Sequence, residues 1–335
     1  MPSTNDFAEI RSAGFTLVCG PADKAYLDAA RAAHLKVLAS PSGHSQNYGA
    51  GINSLDRHPA LWAWYLFDEP DMNLVPPTQV AAAHQNLKRL GARKPTALVL
   101  FQGYEARNYG NITDILMVDR YPIPWLPLAN FGQHVQMARL ATPTHQPLMA
   151  VIQAFDWSSY PELLTNYHGN FRPPTCGELR CMTYEALARG ANGIFFYEFD
   201  GRWKIREHAD LWNCLKAVVR EVTERSPLFA GTPLWWPKEH EFGHPNSAFN
   251  AALQSSVTST LLRVKDSNPQ IPAGDYVVAV NNTPQDLCYS FLLPAQDALP
   301  PVSVLGEDRT LVAEDGRLAD QFRPYAVHVY GPLRK

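Results

Sequence analysis

WAWYLFDEPD, residues Trp62 to Asp71, is an unbroken aromatic and apolar run that stops in three carboxylates and a proline. A run of this length without polar alternation fits a strand covered on both faces, as in a parallel sheet lying between helices. Pro70 has no N–H to give to a ladder, so it closes the strand and sets the turn that carries Glu69. Asp68, Glu69 and Asp71 then fall at the strand's carboxyl end. In a parallel α/β barrel that end holds ligands and catalytic groups, which makes the three acids site candidates. The competing account is a solvated surface loop, and the buried strand ahead of it weighs against that account.

The same pattern recurs on both sides. Buried runs are expected at FTLVCG (Phe15–Gly20), LKVLAS (Leu35–Ser40), PTALVLF (Pro95–Phe101), ILMVDRYPIP (Ile115–Pro124), LMAVIQAFDW (Leu148–Trp157) and GANGIFFYEFDGRW (Gly190–Trp203). Helical segments separate them: Asp6–Ala13, Ala22–His34, Leu55–Ala60, Pro77–Leu90, Phe131–Leu140, Cys176–Arg189 and Leu211–Glu224. Strand alternating with helix predicts a parallel sheet, and polar strand ends favour an α/β fold of the (β/α)8 TIM-barrel type. No G-x-G-x-x-G or Walker loop opens a helix, which weakens a dinucleotide-binding alternative. Seven strands are convincing where a closed barrel has eight. Either Met1–Thr4 supplies a rudimentary first strand or the chain begins at the second.

Composition shifts near Ser226. Residues 227–250 are rich in Pro, Gly and His and read as a linker, with Trp235 and Trp236 expected between domains. Beyond it the runs VTSTLLRVKD, GDYVVAVNNT, QDLCYSFLLP, PVSVLGED and YAVHVYG, broken by Asn, Pro, Asp and Gly turns, predict a small antiparallel β-sandwich. The expected division is a barrel over 1–230 and a sandwich over 231–335.

Composition excludes several functions. A net charge of -3 and a pI near 6.4 give no basic field for nucleic acid. No run of 18 apolar residues and no basic-then-apolar N-terminus is visible, so no membrane span or signal peptide is expected. A secreted or periplasmic location would follow from a leader removed beforehand, a cytoplasmic one otherwise. Five cysteines, odd in number and irregular in spacing, read as buried thiols, with Cys176 and Cys181 a thiol pair rather than a bridge. Neither a metal-ligand pattern nor a cofactor motif appears, and no cofactor is expected. His44, His58 and His208 read as hydrogen-bonded rim residues, with Tyr48 beside them. Aromatic residues at 11%, including 8 Trp, suit stacking on the C–H faces of sugar rings.

Carboxylates on separate strand ends suit acid/base chemistry, because burial and neighbouring charge push two carboxyl pKa values apart. Glycoside hydrolysis needs such a pair, one protonated and one ionised. The chain resembles the (β/α)8 glycoside hydrolases of the cellulase and β-galactosidase superfamily. In that group an acid/base Glu follows Asn and precedes Pro at the end of the fourth strand, and a nucleophilic Glu ends the seventh. Phe67-Asp68-Glu69-Pro70 is similar to the first motif, which implies the acid/base role for Glu69. VAVNNT, VLGEDRTL and FRPYAVHVYG resemble the β-sandwich that trails many such barrels. Counted from a second strand, LMAVIQAFDW is the seventh, and Gln153 stands in the nucleophile's place. Glu198 on the last strand then takes the second role, with Asp119 and Asp156 in reserve. Asp68, Asp71, Asp119, Tyr121, Gln153, Trp157, Tyr197, Asp200 and Trp203 are expected to line the site for a carbohydrate substrate.

Plainer roles compete. Glu198 could pair with Arg202 or Arg180, Asp119 with Arg120, and the aromatics could be rim packing. Glu178 and Glu185 read as structural helix acids. The expectation is a glycoside hydrolase; a non-catalytic carbohydrate-binding barrel and a metal-dependent hydrolase are the alternatives.

Overall fold

The computed structural model describes residues 1–40, 52–163, 169–234, 256–293 and 300–333. His44, Tyr48, Trp235, Trp236 and most of the expected linker lie outside the described residues. Seven strands form one parallel sheet in sequence order: β1 (Leu17–Pro21), β2 (Lys36–Ser40), β3 (Leu61–Asp68), β4 (Thr96–Leu100), β5 (Ile115–Asp119), β6 (Leu148–Gln153) and β7 (Gly193–Tyr197). The helices are α1 (Phe7–Ser12), α2 (Lys24–Ala32), α3 (Ile52–Asp56), α4 (Pro77–Arg89), α5 (Ala106–Tyr109), α6 (Leu128–Ala141), α7 (Cys176–Ala188), α8 (Ala209–Glu224) and the short α9 (Ser226–Phe229).

The two-residue period of each strand sorts its side chains between two cores. Leu38, Ala63, Ala97, Val99, Ile115, Met117, Met149 and Val151 pack inside the curl, with Leu17 and Phe195 of the edge strands against them. Leu98, Leu116, Val118, Leu148, Ala150 and Ile152 point outward into a core shared with α6, α7 and α8. Strands covered this way need no polar face, which is why their sequences read as continuous apolar runs.

The sheet curls without pairing its edges: β1 and β7 share no ladder. Phe15, just before β1, spans the gap by packing edge-on against Phe196 and stacking on Trp212 of α8, both at 6.1 Å. Asp6 pairs with Arg206 and Glu9 accepts from Trp212 Nε1 at 3.1 Å, fixing α1 to the same seam. Met1–Ser3 is not a strand and Thr4–Asp6 is a 3-10 turn, so no rudimentary strand precedes β1.

The C-terminal region is antiparallel. Strands β8 (Thr232–Leu234), β9 (Val257–Val264), β10 (Gly274–Asn281) and β15 (Val327–Tyr330) form a sheet in the order β15-β10-β9-β8. β11 (Leu287–Leu292) pairs with β14 (Arg317–Phe322), and β12 (Val302–Ser303) with β13 (Thr310–Leu311). The larger sheet docks on the helical layer: Val278, Val280, Val327 and Val329 belong to the same core as α7 and α8. Arg189 Nη2 donates to Thr258 Oγ1, which donates to Glu185 Oε1, both at 2.8 Å.

Four expectations are corrected. β8 lies inside the segment expected as linker, held by its pairing with β9. α3 ends at Asp56 instead of spanning 55–60, because the Asp56 carboxylate accepts from Trp64 Nε1 and from the N–H groups of Arg93 and Lys94. Cys176, the first residue of α7, is not a free thiol but is bridged to Cys214 of α8. Cys288 is exposed, where a buried thiol was expected, while Cys181 is buried.

Candidate active site

The turn after β3 carries Glu69 with its backbone in the left-handed region, at φ 43°. A non-glycine residue adopts that conformation only where its surroundings impose it. Here Glu69 N–H donates to Val99 O at 3.1 Å, and the Asn73 amide donates to the carbonyls of Asp68 and Glu69 at 3.1 and 3.0 Å. Asp71 secures the neighbouring loop, its carboxylate accepting from Phe101 N at 3.1 Å and Gln102 N at 2.8 Å. Asp71 is thus engaged with backbone.

Glu69 meets Asp119 of β5, and the two carboxyls are in hydrogen-bonding contact. Tyr121 OH donates to Asp119 Oδ2 at 3.0 Å, while Asp119 Oδ1 is buried with no donor. Two touching carboxyls with a donorless oxygen are satisfied only when one of them carries a proton. Burial first, and the Asp68 charge second, push Glu69 up to about 7. Burial and then the Glu69 charge hold Asp119 well above the usual carboxylate range. The pair therefore keeps a proton at neutral pH. Asp68, exposed at the rim, accepts from Tyr65 OH. Beneath it Cys19 is pushed up to about 12 by burial and then by Asp68, which keeps that thiol protonated.

Glu198 follows β7 and forms a second station. Tyr160 OH donates to its Oε1 at 2.5 Å and Trp203 N–H donates to the same oxygen at 2.9 Å. A Cβ on Gly201 would stand 1.7 Å from Oε2, so only glycine leaves room for this carboxylate. Among the described residues Glu198 has no ion pair: Arg202 binds Glu162 and Arg180 binds Glu221. Arg120 likewise turns away from Asp119, its Nε donating to Asn130 Oδ1 at 2.9 Å and its guanidinium lying 4.4 Å over Phe101.

Aromatic rings join the two stations. Tyr121 stacks on Tyr197 at 5.7 Å, and Phe155 packs edge-on to Tyr121, Trp157 and Tyr197 at 5.1, 5.0 and 5.5 Å. Trp125 adds to the wall against Trp157 at 5.3 Å. Trp203 lies flat on His208 at 3.7 Å. The structure brings Asp68, Glu69, Asp119, Tyr121, Trp157, Tyr197, Glu198 and Trp203 to one end of the sheet. Gln153, the last residue of β6 and paired in register with Tyr197, stands at the same end but is fully buried, its amide bonded to Ile123 N, Ile123 O and Phe155 O as a clamp beneath the loops. Asp156 caps the turn at Trp157–Ser159 by accepting from Ser158 N. Asp200 offers its backbone carbonyl to the N-terminal ammonium group. Tyr65, Tyr160, Phe155, Trp125 and Gly201 are site residues that the sequence did not single out. Tyr65 stands three residues before Asp68, a spacing that a regular two-residue period would put on the opposite face, and the strand is irregular between Tyr65 and Phe67; Tyr160 sits in a Ser/Pro-containing segment with no periodic signal.

A curled parallel sheet with helices outside, acids at its carboxyl end and an antiparallel region behind defines an α/β fold of the TIM-barrel type. No protein-family model matches the chain, and no curated protein does. Solved structures do match in fold. An α-amylase from Geobacillus thermoleovorans complexed with acarbose aligns over 98% of this chain and 90% of its own, with a TM-score of 0.58 and 10% identity. An Anoxybacillus α-amylase aligns over 99% and 90%, with a TM-score of 0.58 and 10% identity. A family 39 glycoside hydrolase from Bacteroides cellulosilyticus aligns over 100% and 79%, at 0.52 and 12%. At these identities the likeness is one of fold.

Proposed function

We propose that this protein hydrolyses O-glycosidic bonds of an oligo- or polysaccharide, with Glu69 as general acid. What supports this is the Glu69 carboxyl, fixed at a strand end by its N–H bond to Val99 and the Asn73 amide, with burial and then the Asp68 charge pushing its pKa up to about 7. Protonating a leaving oxygen requires that property in the ground state. Asp119 touches Glu69 too closely for a glycosidic bond to fit between them, since working pairs stand about 5–5.5 Å or 6.5–9.5 Å apart. Its role is to share and tune the proton. Glu198, on a different strand end and oriented by Tyr160 and Trp203, is the group we assign to the opposite face of the sugar, as nucleophile or as base for water. Tyr121, Tyr197 and Trp157 would present ring faces to the sugar, with residues 1–230 as the catalytic unit and 231–335 as its supporting sandwich.

The test is a screen of oligosaccharides for cleavage with the product anomer followed by NMR, run on the wild-type protein and Glu69→Gln. The variant should lose about 10²–10⁴-fold in rate while melting as a folded protein. An unchanged rate removes Glu69 from this role. A second reading, a barrel that binds carbohydrate without turnover, is favoured by Gln153, whose amide occupies the seventh-strand position where the resemblance implies a carboxylate. It predicts oligosaccharide binding with no product from the wild-type protein.

A further inference from the structure

Tyr160 has one hydroxyl proton and two oxygen partners. Its OH donates to Glu198 Oε1 at 2.5 Å and lies 2.9 Å from Tyr197 OH. A carboxylate can only accept, so the Tyr160 proton goes to Glu198 and the Tyr197 hydroxyl donates in turn to the Tyr160 oxygen. The two hydroxyls form one directed chain ending on Glu198, in which each bond strengthens the next. With Trp203 N–H at 2.9 Å from the same atom, both acceptor sites of Oε1 are filled. Oε2, beside Gly201, is the oxygen left for chemistry.

Regular structure does not hold Tyr160 in place. It stands between two 3-10 turns, Trp157–Ser159 and Pro161–Leu163, in the loop after β6. Phe155 and Trp157 pack edge-on to its ring at 5.4 and 6.1 Å. Arg202, from the loop after β7, places its guanidinium 5.0 Å over that ring and binds Glu162, two residues beyond Tyr160. A cation over an aromatic face is attracted to the ring, and its charge makes the phenol a better donor. The Arg202 and Glu162 side chains are 56% and 51% exposed, and an ion pair so open to water adds little to stability. Its consequence is local: it ties the loop carrying Tyr160 to the loop carrying Glu198.

We propose that Arg202 is a positioning residue, holding the Tyr160 ring so that the Tyr197–Tyr160 hydroxyl chain fixes Glu198 Oε1 and leaves Oε2 to face the sugar. This rests on the glycosidase reading of the same site, and it assigns Arg202 no contact with substrate.

The experiment crosses Arg202→Ala with Tyr160→Phe and adds Arg202→Lys, with kcat and KM measured on the oligosaccharide cleaved fastest in the screen above. Arg202→Ala should lose about threefold in kcat, the scale of one exposed cation–π contact, with KM unchanged. In the Tyr160→Phe background, which has no hydroxyl to position, it should cost nothing further. Arg202→Lys keeps a cation over the ring and should restore most of the loss. A second readout needs no turnover. In protein labelled with 13C at the glutamate carboxyls, the Glu198 resonance is identified by its loss in Glu198→Gln. It should move in the same direction in Arg202→Ala and Tyr160→Phe and stay in place in Arg202→Lys. Wild-type kcat in Arg202→Ala, equal losses in both backgrounds, or a raised KM with kcat kept would each overturn the inference and leave the glycosidase reading standing. If the wild-type protein cleaves nothing, the glycosidase reading fails and the resonance decides: movement in Arg202→Ala upholds the link from Arg202 to Glu198. A resonance that stays put in Arg202→Ala overturns the inference whether or not the wild-type protein turns over.

Discussion

Two sets of carboxylates occupy this chain, and they are treated in opposite ways. In the helical layer Glu185 is fully buried and yet bonded to Arg189 and Thr258. Glu178 takes two bonds from Arg172 and completes a capping box with Thr175 at the start of α7. Glu221 is shared by Arg180, Arg225 and Tyr184. At the mouth Glu69, Asp119 and Glu198 are also withdrawn from water, but among the described residues none is in an ion pair: their hydrogen-bond partners are other carboxyls, tyrosine hydroxyls and backbone N–H groups, and the Arg120 charge acts on Glu69 and Asp119 only from a distance. A buried acid that serves stability has its charge balanced within the protein. One that serves chemistry is left for its substrate to complete, and its pKa moves accordingly.

The difference is most sharply broken at Glu198. Replacing it by Gln keeps the shape and the acceptor oxygen but removes the charge, so under the proposed role turnover should fall by about 10³-fold with the melting temperature nearly unchanged. Kinetics and thermal melting on one preparation check both halves. A fall in stability without a selective loss of turnover would move Glu198 into the structural set.

Arg189→Ala should do the reverse. It strands the fully buried Glu185 carboxylate between α7 and the C-terminal sheet, and losing one partner of a buried pair costs about 3–5 kcal/mol. Chemical denaturation should show that loss, with kcat per folded molecule retained. Tyr160→Phe is a milder version at the mouth. It removes one of two hydrogen bonds to Glu198 at a cost of about 1 kcal/mol, and should appear as a several-fold loss in kcat with KM little changed.

These contrasts also explain which parts of the molecule were legible beforehand. All seven barrel strands could be read from apolar runs because the central strands β4, β5 and β6 are buried at every position and the half-buried edge strands β1 and β7 are still apolar at almost every residue. Glu69 was legible for the same reason, since the run in front of it ends so abruptly. Strands β8, β13 and β14 were not, because β13 is two residues long, β8 contains Pro233 within a segment of linker composition, and β14, RLADQF, has no apolar run. The Cys176–Cys214 bridge joins two helices that only the packing of α7 against α8 brings together, and spacing carries no such information; a thiol titration in denaturant should find three free groups. Strand position fixes where the Gln153 side chain starts, at the carboxyl end of β6 beside Tyr197, while the chain turn at Ile123 decides what its amide meets. Which carboxyls touch is likewise a matter of barrel curvature, which is why Asp119 was only a reserve.

The smallest expected effect distinguishes the two sets by the sign of a pH dependence. Glu69 has its pKa raised in the folded state, so between about 4.3, the ordinary Glu value, and about 7 the native protein binds more protons than the unfolded chain. Stability contributed by this group therefore falls as pH rises through that window, and above it the folded state bears the full penalty of a buried charge. Glu178 runs the other way. Burial pushes it up, but the Arg172 hydrogen bonds and the Thr175 N–H outweigh burial and hold it below its ordinary value. Its contribution is present above the unfolded pKa and is lost as pH falls through the folded one. Glu69→Gln should accordingly be more stable than wild type at pH 8, by on the order of 1 kcal/mol once its partial exposure is discounted, with the gap closing toward pH 5. Glu178→Gln should be less stable at pH 8, with the deficit shrinking only at lower, acid pH. Denaturation curves for both variants at pH 5 and pH 8 decide it: if Glu69→Gln gains nothing at pH 8, the mouth carboxyls are as well compensated as those of the helical layer.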